Sequence, residues 1–251
     1  MLSSLLSAFF NLLLRIYDAT IGAGLFAPAT PEADRATVYL DTETGGFDAL
    51  TPDGFGHEVI EFAMVVEQHG EVTHTFSLKV KPEREVSPGA AKINGYTPEG
   101  WADAPSKAEA ALLIKEEWRK AVVKYTVPGE SKPRRLFPTV VGHNVRFDLH
   151  FMDTMMQENL PADERFRTLS TGGIIDTLTM AKRLNVPSHR LDYLRRWFGW
   201  STEGAHTAMV DVMQTRDLHH FLRDAGPCRL FIAGLMGRWR TTMERAPQAH
   251  G

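Results

Sequence analysis

An α/β domain running from about Asp34 to about Ala225 is what this sequence predicts, and three observations carry that prediction. Strand-forming runs come first: ATVYLDT, EVIEFAMVVEQ and EVTHTFSLKVKP. A pattern of helical period follows from Ser106 to Tyr125. Then a short apolar strand, PTVVGHN, gives way to helical patterns only. Strands, a crossover helix, a strand and further helices are the order of a sheet covered by helices.

Taken in order, the first three runs are separated by a wide turn, GGFDALTPDGFGH, and by QHG, so they read as an antiparallel meander. In the segment Ser106 to Tyr125, Ala111, Ile114, Trp118 and Val122 share one stripe, as a helix lying across a sheet requires. VPGESKPRRLFP reads as a polar, basic loop whose Lys132, Arg134 and Arg135 are either solvated or face phosphates. VRFDLHFMDTMMQ is a helix with Phe147, Phe151 or Met152, and Met155 turned inward. After a Gly-rich break come IIDTLTMAKRL, a short strand or helix start, and two helices, RLDYLRRWFGW and HTAMVDVMQTRDLHHFLRD.

Two segments lie outside this pattern. Residues 1–30 are the most hydrophobic of the chain and end in a Pro-rich linker. Ser4, Ser7, Asn11, Arg15 and Asp18 form a polar stripe opposite Leu2, Leu5, Phe9 and Ile16, so an amphipathic N-terminal helix fits better than a spanning one. It suits a membrane surface, a partner assembly such as a polymerase, or its own domain. Residues 226–251 form a C-terminal extension bearing Arg229, Arg238, Arg240 and Arg245.

The formal net charge of -3 neither announces nor excludes a nucleic-acid partner, because acids gathered at a metal conceal a basic rim in the sum. The single cysteine, Cys228, excludes an intramolecular disulfide and a Cys-rich zinc site, and agrees with a reducing, cytoplasmic location or one peripheral to a membrane.

The chemistry lies in acids placed where apolar residues belong. Asp41 and Glu43 end the first strand, one residue apart, and so share one face of the sheet. Asp148 falls on the inward stripe of its helix, one turn before Phe151 and Met152. Asp211 shares a stripe with Ala208, Thr215, Leu218 and Leu222. Four converging carboxylates would repel one another and raise one another's pKa values unless divalent cations relieved them. Oxygen-only ligands favour Mg2+ or Mn2+, and a pair of such ions is suited to attack on a phosphodiester. His206, on the loop entering the last helix, is the residue type that takes a proton from water near neutral pH.

DTETGG, GHNVRFD and HTAMVD, in this order and spacing, resemble the three motifs of the DEDDh family, the epsilon-subunit-like (DnaQ-like) 3′-5′ exonucleases. KINGYTPE resembles the segment of that family that touches the terminal nucleotides, and LDYLRRWFGW the helix before its third motif; the likeness runs from about Thr37 to Arg223. It implies a ribonuclease H-like fold, a mixed five-stranded sheet flanked by helices. It also implies that Asp41, Glu43, Asp148 and Asp211 hold two Mg2+ or Mn2+ ions, that His206 is the general base, and that the products are nucleoside 5′-monophosphates. Thr44 and Gly45 would contact the terminal nucleotide through their backbones, Phe47 and Ile93 would pack against bases, and Asn144 would serve the substrate or the strand end.

The substrate this implies is a single-stranded 3′ end, with DNA favoured. The alternatives are an RNA-trimming member of the same family and a catalytically silent nucleic-acid-binding module in a larger assembly.

Overall fold

Thr37–Thr44, strand β1, alternates its side chains between two faces of a sheet, and that alternation organises the domain. Val38 and Leu40 lie in one hydrophobic cluster while Tyr39 lies in another. The structure is a computed structural model and describes residues 34–49, 56–125, 131–161, 172–226 and 230–237. Residues 1–30, most of 226–251, and part of the first wide turn fall outside them, and with them the expected N-terminal helix. Among the described residues no helix is long and apolar enough to cross a membrane.

β1 pairs antiparallel with β2, Val59–Gln68, which pairs antiparallel with β3, Glu71–Lys79. A short helix α1, Pro88–Asn94, follows, then a 3-10 turn, Glu99–Trp101, and the crossover helix α2, Lys107–Lys120. Strands β4, Val123–Tyr125, and β5, Arg134–Leu136, form a separate antiparallel pair. β6, Thr139–Gly142, then enters beside β1 and parallel to it. Helix α3, Val145–Asn159, leads to β7, Ile174–Asp176, parallel to β6, and α4, Thr177–Ala181, continues directly from it. Helices α5, Leu191–Phe198, and α6, Ala208–Asp224, follow.

The main sheet therefore has the order β3-β2-β1-β6-β7, mixed and five-stranded, the arrangement expected of a ribonuclease H-like domain. Ala110, Ala111, Ile114 and Trp118 of α2 and Phe151, Met152, Met155 and Met156 of α3 cover the face that carries Val38, Leu40, Phe62 and Met64. Ala208 and Val212 of α6 cover the other, against Tyr39, Ala63, Val65 and Val141. A third cluster joins α4, α5 and α6 through Ala181, Leu184, Leu194, Leu218 and Leu222.

Three local features depart from the sequence reading. α2 stops at Lys120, and Val123 to Tyr125 turn into β4, because Val123 finds a cross-strand partner in Leu136. The stretch read as a basic loop accordingly contains β5. KIN, read only as part of a substrate segment, is helical: Ser87 accepts from Ala90 N, Pro88 opens the helix, and Gly95 closes it at φ 70°.

Candidate active site

The alternation of β1 decides which helix meets which acid. Val38, Leu40 and Thr42 face α2 and α3, so Tyr39, Asp41 and Glu43 face α6. Thr42 meets Asp148 of α3, whose Oδ1 accepts from Thr42 N at 2.9 Å and from Thr42 Oγ1 at 2.8 Å. On the other face, oxygens of Glu43 and Asp211 and a ring nitrogen of His206 lie within 4.8 Å of one another, close enough for one ion to reach all three.

The turn between β6 and α3 is tight. A Cβ on Gly142 would sit 2.8 Å from Val145 Cβ and 3.3 Å from Leu40 O, so glycine is required where the chain delivers Asp148 beside β1. Asn144 then takes the left-handed conformation, φ 66°, and its N–H donates to Asp176 Oδ1 at 2.9 Å, tying the turn to β7. His206, φ 65°, adopts the same uncommon conformation just before α6. His206 N donates to Asp211 Oδ1 at 3.2 Å, and Ala208 N donates to Glu61 Oε1 at 3.3 Å, so acids of the site satisfy the open amides at this helix start.

Crowding shows in the protonation of the acids. Burial pushes Asp41 well above the usual carboxylate range, and Asp148, Asp211 and Glu43 push it further. Glu43 rises to about 8 through burial and the charges of Asp211, Glu61 and Asp148. Burial lifts Asp148 to about 7 against the opposing hydrogen bonds from Thr42. Burial also raises Asp211, with Arg195 pulling it down. Carboxylates whose pKa values are raised by burial and by one another suit hard divalent cations, which would relieve that repulsion. The donor set of Asp41, Glu43, Asp148 and Asp211 fits such ions.

Beside the acids, Gly45 N donates to Glu58 O and Gly45 O accepts from Ser87 N, both at 2.8 Å, so both its backbone groups hold the fold. Thr44 Oγ1 donates to Gly46 O at 2.6 Å, and Thr44 O accepts from Asn94 Nδ2 at 3.1 Å, which docks α1 against the end of β1. Gly46 lies so close to His57 that a Cβ there would be 2.2 Å from the ring. Phe47, 81 % exposed, and Ile93, 52 % exposed, are left as apolar side chains in solvent.

Three contributors were not read from the sequence. Glu61, on β2 directly opposite Glu43, breaks the apolar run VIEFAMVV. Asp192 and the fully buried Arg195, both on α5, reach His206 and Asp211. Arg195 gave a readable signal, since it shares a helical stripe with Leu191, Leu194 and Phe198.

An open sheet with acids from β1, α3 and α6 and an adjacent histidine has the donor chemistry that metal-assisted phosphoryl transfer requires. Comparison with known proteins narrows the class. The exonuclease family model RNase_T matches residues 38–126 and 137–218, well over half of the chain, and the chain belongs to that exonuclease family. It is 30% identical over 188 residues to the DNA polymerase III subunit epsilon of Pasteurella multocida, covering 72% of this chain and 66% of that one. It is 28% identical over 180 residues to the PolC-type DNA polymerase III of Latilactobacillus sakei, where 71% of this chain spans only 10% of the relative. Two solved structures share the fold. Escherichia coli exonuclease I in a zinc-bound complex with single-stranded DNA has a TM-score of 0.58 at 23% identity, covering 78% of this chain and 42% of that one. The nuclease domain of 3′hExo, a DEDDh family member bound to rAMP, has a TM-score of 0.56 at 17% identity, covering 76% and 94%.

Proposed function

We propose that this protein is a 3′-5′ exonuclease that hydrolyses single-stranded 3′ ends, DNA in preference to RNA, to nucleoside 5′-monophosphates. The observation that carries the reading is the cluster of Glu43, Asp211 and His206 at the end of β1, with Asp41 and Asp148 outside that cluster but near enough for Asp41 to be raised by Asp148, Asp211 and Glu43. DNA is favoured because the relatives at 28–30% identity are DNA polymerase III proteins.

Asp41, Glu43, Asp148 and Asp211 would hold two Mg2+ or Mn2+ ions. When bound, such ions supply Lewis-acid activation of the attacking water and neutralise charge on the leaving 3′ oxygen. Thr42 keeps Asp148 aimed at the site. His206 takes the proton of the water as general base. Thr44 and Gly45 form the floor under the terminal nucleotide, Phe47 and Ile93 pack against the bases at the 3′ end, and Asn144 orders the turn that brings Asp148 in. The expected N-terminal helix would tether the enzyme to a polymerase or another assembly, or to a membrane surface. Deletion of residues 1–30 should leave turnover intact and abolish that association.

The reading is tested by comparing release of mononucleotides from labelled single-stranded DNA, from duplex DNA with a frayed 3′ end, and from RNA, each with Mg2+ and with chelator. Fastest release from single-stranded DNA is expected, with none in chelator. Fastest release from RNA would transfer the assignment to the RNA-trimming class, and no release from any strand would leave a binding module.

A further inference from the structure

Arg195 is buried to 0 % exposure, and a buried guanidinium is tolerated only when its donors are met by fixed acceptors. Its Nε donates to Gln214 Oε1, its Nη1 to Asp192 Oδ1 at 2.7 Å, and its Nη2 to Asp211 Oδ1. Asp192 has a second contact: its Oδ2 lies 3.5 Å from His206 Nε2. His206 N in turn donates to Asp211 Oδ1. Four residues thus close a ring, in which His206 meets Asp192 by its side chain and Asp211 by its backbone, with Arg195 spanning the two acids.

We propose that Asp192 is a positioning residue for His206, and that Arg195 is the fixed post that holds Asp192 in register with Asp211. The inference rests on His206 being the general base. His206 sits on a loop with a left-handed backbone and keeps about a third of its side chain exposed, so the loop alone does not hold its ring. A carboxylate at one ring nitrogen sets the orientation and tautomer of an imidazole. Arg195 is suited to the post because guanidinium stays protonated in proteins and its planar fork fixes two carboxylates at once. The separation of 3.5 Å is in keeping with a contact that closes only when substrate is in place.

A double-mutant cycle in the full chain tests this, using Asp192→Ala, His206→Ala and the pair, with kcat and KM for mononucleotide release from a labelled single strand. Calorimetric titration with Mn2+ alone is run on each variant. Asp192→Ala should lower kcat by about 10- to 100-fold, the range for loss of a residue that orients a functional ligand. KM and Mn2+ affinity should change less than about twofold, and in the His206→Ala background the same substitution should have almost no further effect on kcat. Asp192→Asn, which keeps an acceptor for Arg195, should fold as the parent does and still lower kcat.

An equal loss from Asp192→Ala in both backgrounds would overturn the proposal, as would a fall in Mn2+ affinity that tracks the loss of kcat, since either places the effect at Asp211. If His206→Ala itself leaves kcat unchanged, the general-base reading fails, and this inference fails with it.

Discussion

Thr42 grips one oxygen of Asp148 twice, with its amide at 2.9 Å and its hydroxyl at 2.8 Å. The bond joins β1 to α3 on one face of the sheet and holds in place an acid whose value burial raises and these two bonds lower. Thr42→Val keeps the shape and the amide bond but removes the hydroxyl. Stability should fall by about 1 kcal/mol. Divalent-ion affinity or kcat should fall by about tenfold, as for other residues that orient a ligand. Denaturant melts and Mn2+ titration measure the two effects, and unchanged ion affinity would separate this bond from the site.

The metal-free protein should lose stability as pH rises from 6.5 to 8. Glu43, at about 8, and Asp148, at about 7, hold protons in the folded state that the unfolded chain, with values of 4.5 and 3.8, has already released. Where the folded state binds more protons, stability declines with rising pH. His143 and His219, whose values are lowered by burial, act in the opposite sense, but their effect centres below their reference of 6.5 and fades within about one pH unit above it. In EDTA, Tm should drop by a few °C across this range, and Mn2+ should restore Tm at pH 8. A Tm in EDTA that stays level or rises contradicts the crowding of the acids.

Away from the site, Lys107 joins Glu58 and Glu158, each at 2.7 Å, and Glu58 also accepts from the amides of Glu83 and Arg84. This buried cluster anchors the chain that runs from β3 to Ser87 and so to Gly45. Removing one member of a buried pair leaves a charge without compensation, and Lys107→Met should cost about 3 kcal/mol. Urea unfolding checks this, and an effect below about 1 kcal/mol would mean the cluster is solvated as a surface pair is.

Phe47 and Ile93 are exposed and apolar, as side chains that pack against bases must be before substrate arrives. Phe47→Ala should raise KM for single-stranded DNA by roughly tenfold or more, the equivalent of one lost stack, Ile93→Ala should raise it less because an aliphatic side chain only packs, and both should leave Tm within experimental error. Unchanged KM in both variants would return these side chains to ordinary surface.

Most of the site was legible as breaks in pattern. Asp148 and Asp211 stand on stripes otherwise filled by Phe151, Met152 and Leu218, and a short acid cannot escape such a stripe. Arg195 is the same kind of break, but a long cationic side chain on an apolar stripe ordinarily reaches solvent, so its burial depends on where Gln214, Asp192 and Asp211 fall in space. Glu61 looks like one polar residue in a strand until the register sets it opposite Glu43. α1, β4 and β5 were missed or misread because seven or three residues are too few to show a period, and their order comes from caps and cross-strand partners. The meander β1 to β3 followed from runs of eight to ten residues, whereas the five-stranded count came from the family resemblance, because β7 is as short as β4 and β5.

Asp41 feels Asp148, Asp211 and Glu43 at once, so the central claim is tested most directly there. The measurement is Mg2+-dependent release of nucleoside 5′-monophosphates from a 3′-terminal single strand by the parent chain and by Asp41→Ala. The parent should release them stepwise, and Asp41→Ala should be slower by roughly a thousandfold or more, the equivalent of the several kcal/mol that metal-ion catalysis contributes. Release by Asp41→Ala at a rate near that of the parent would contradict the account.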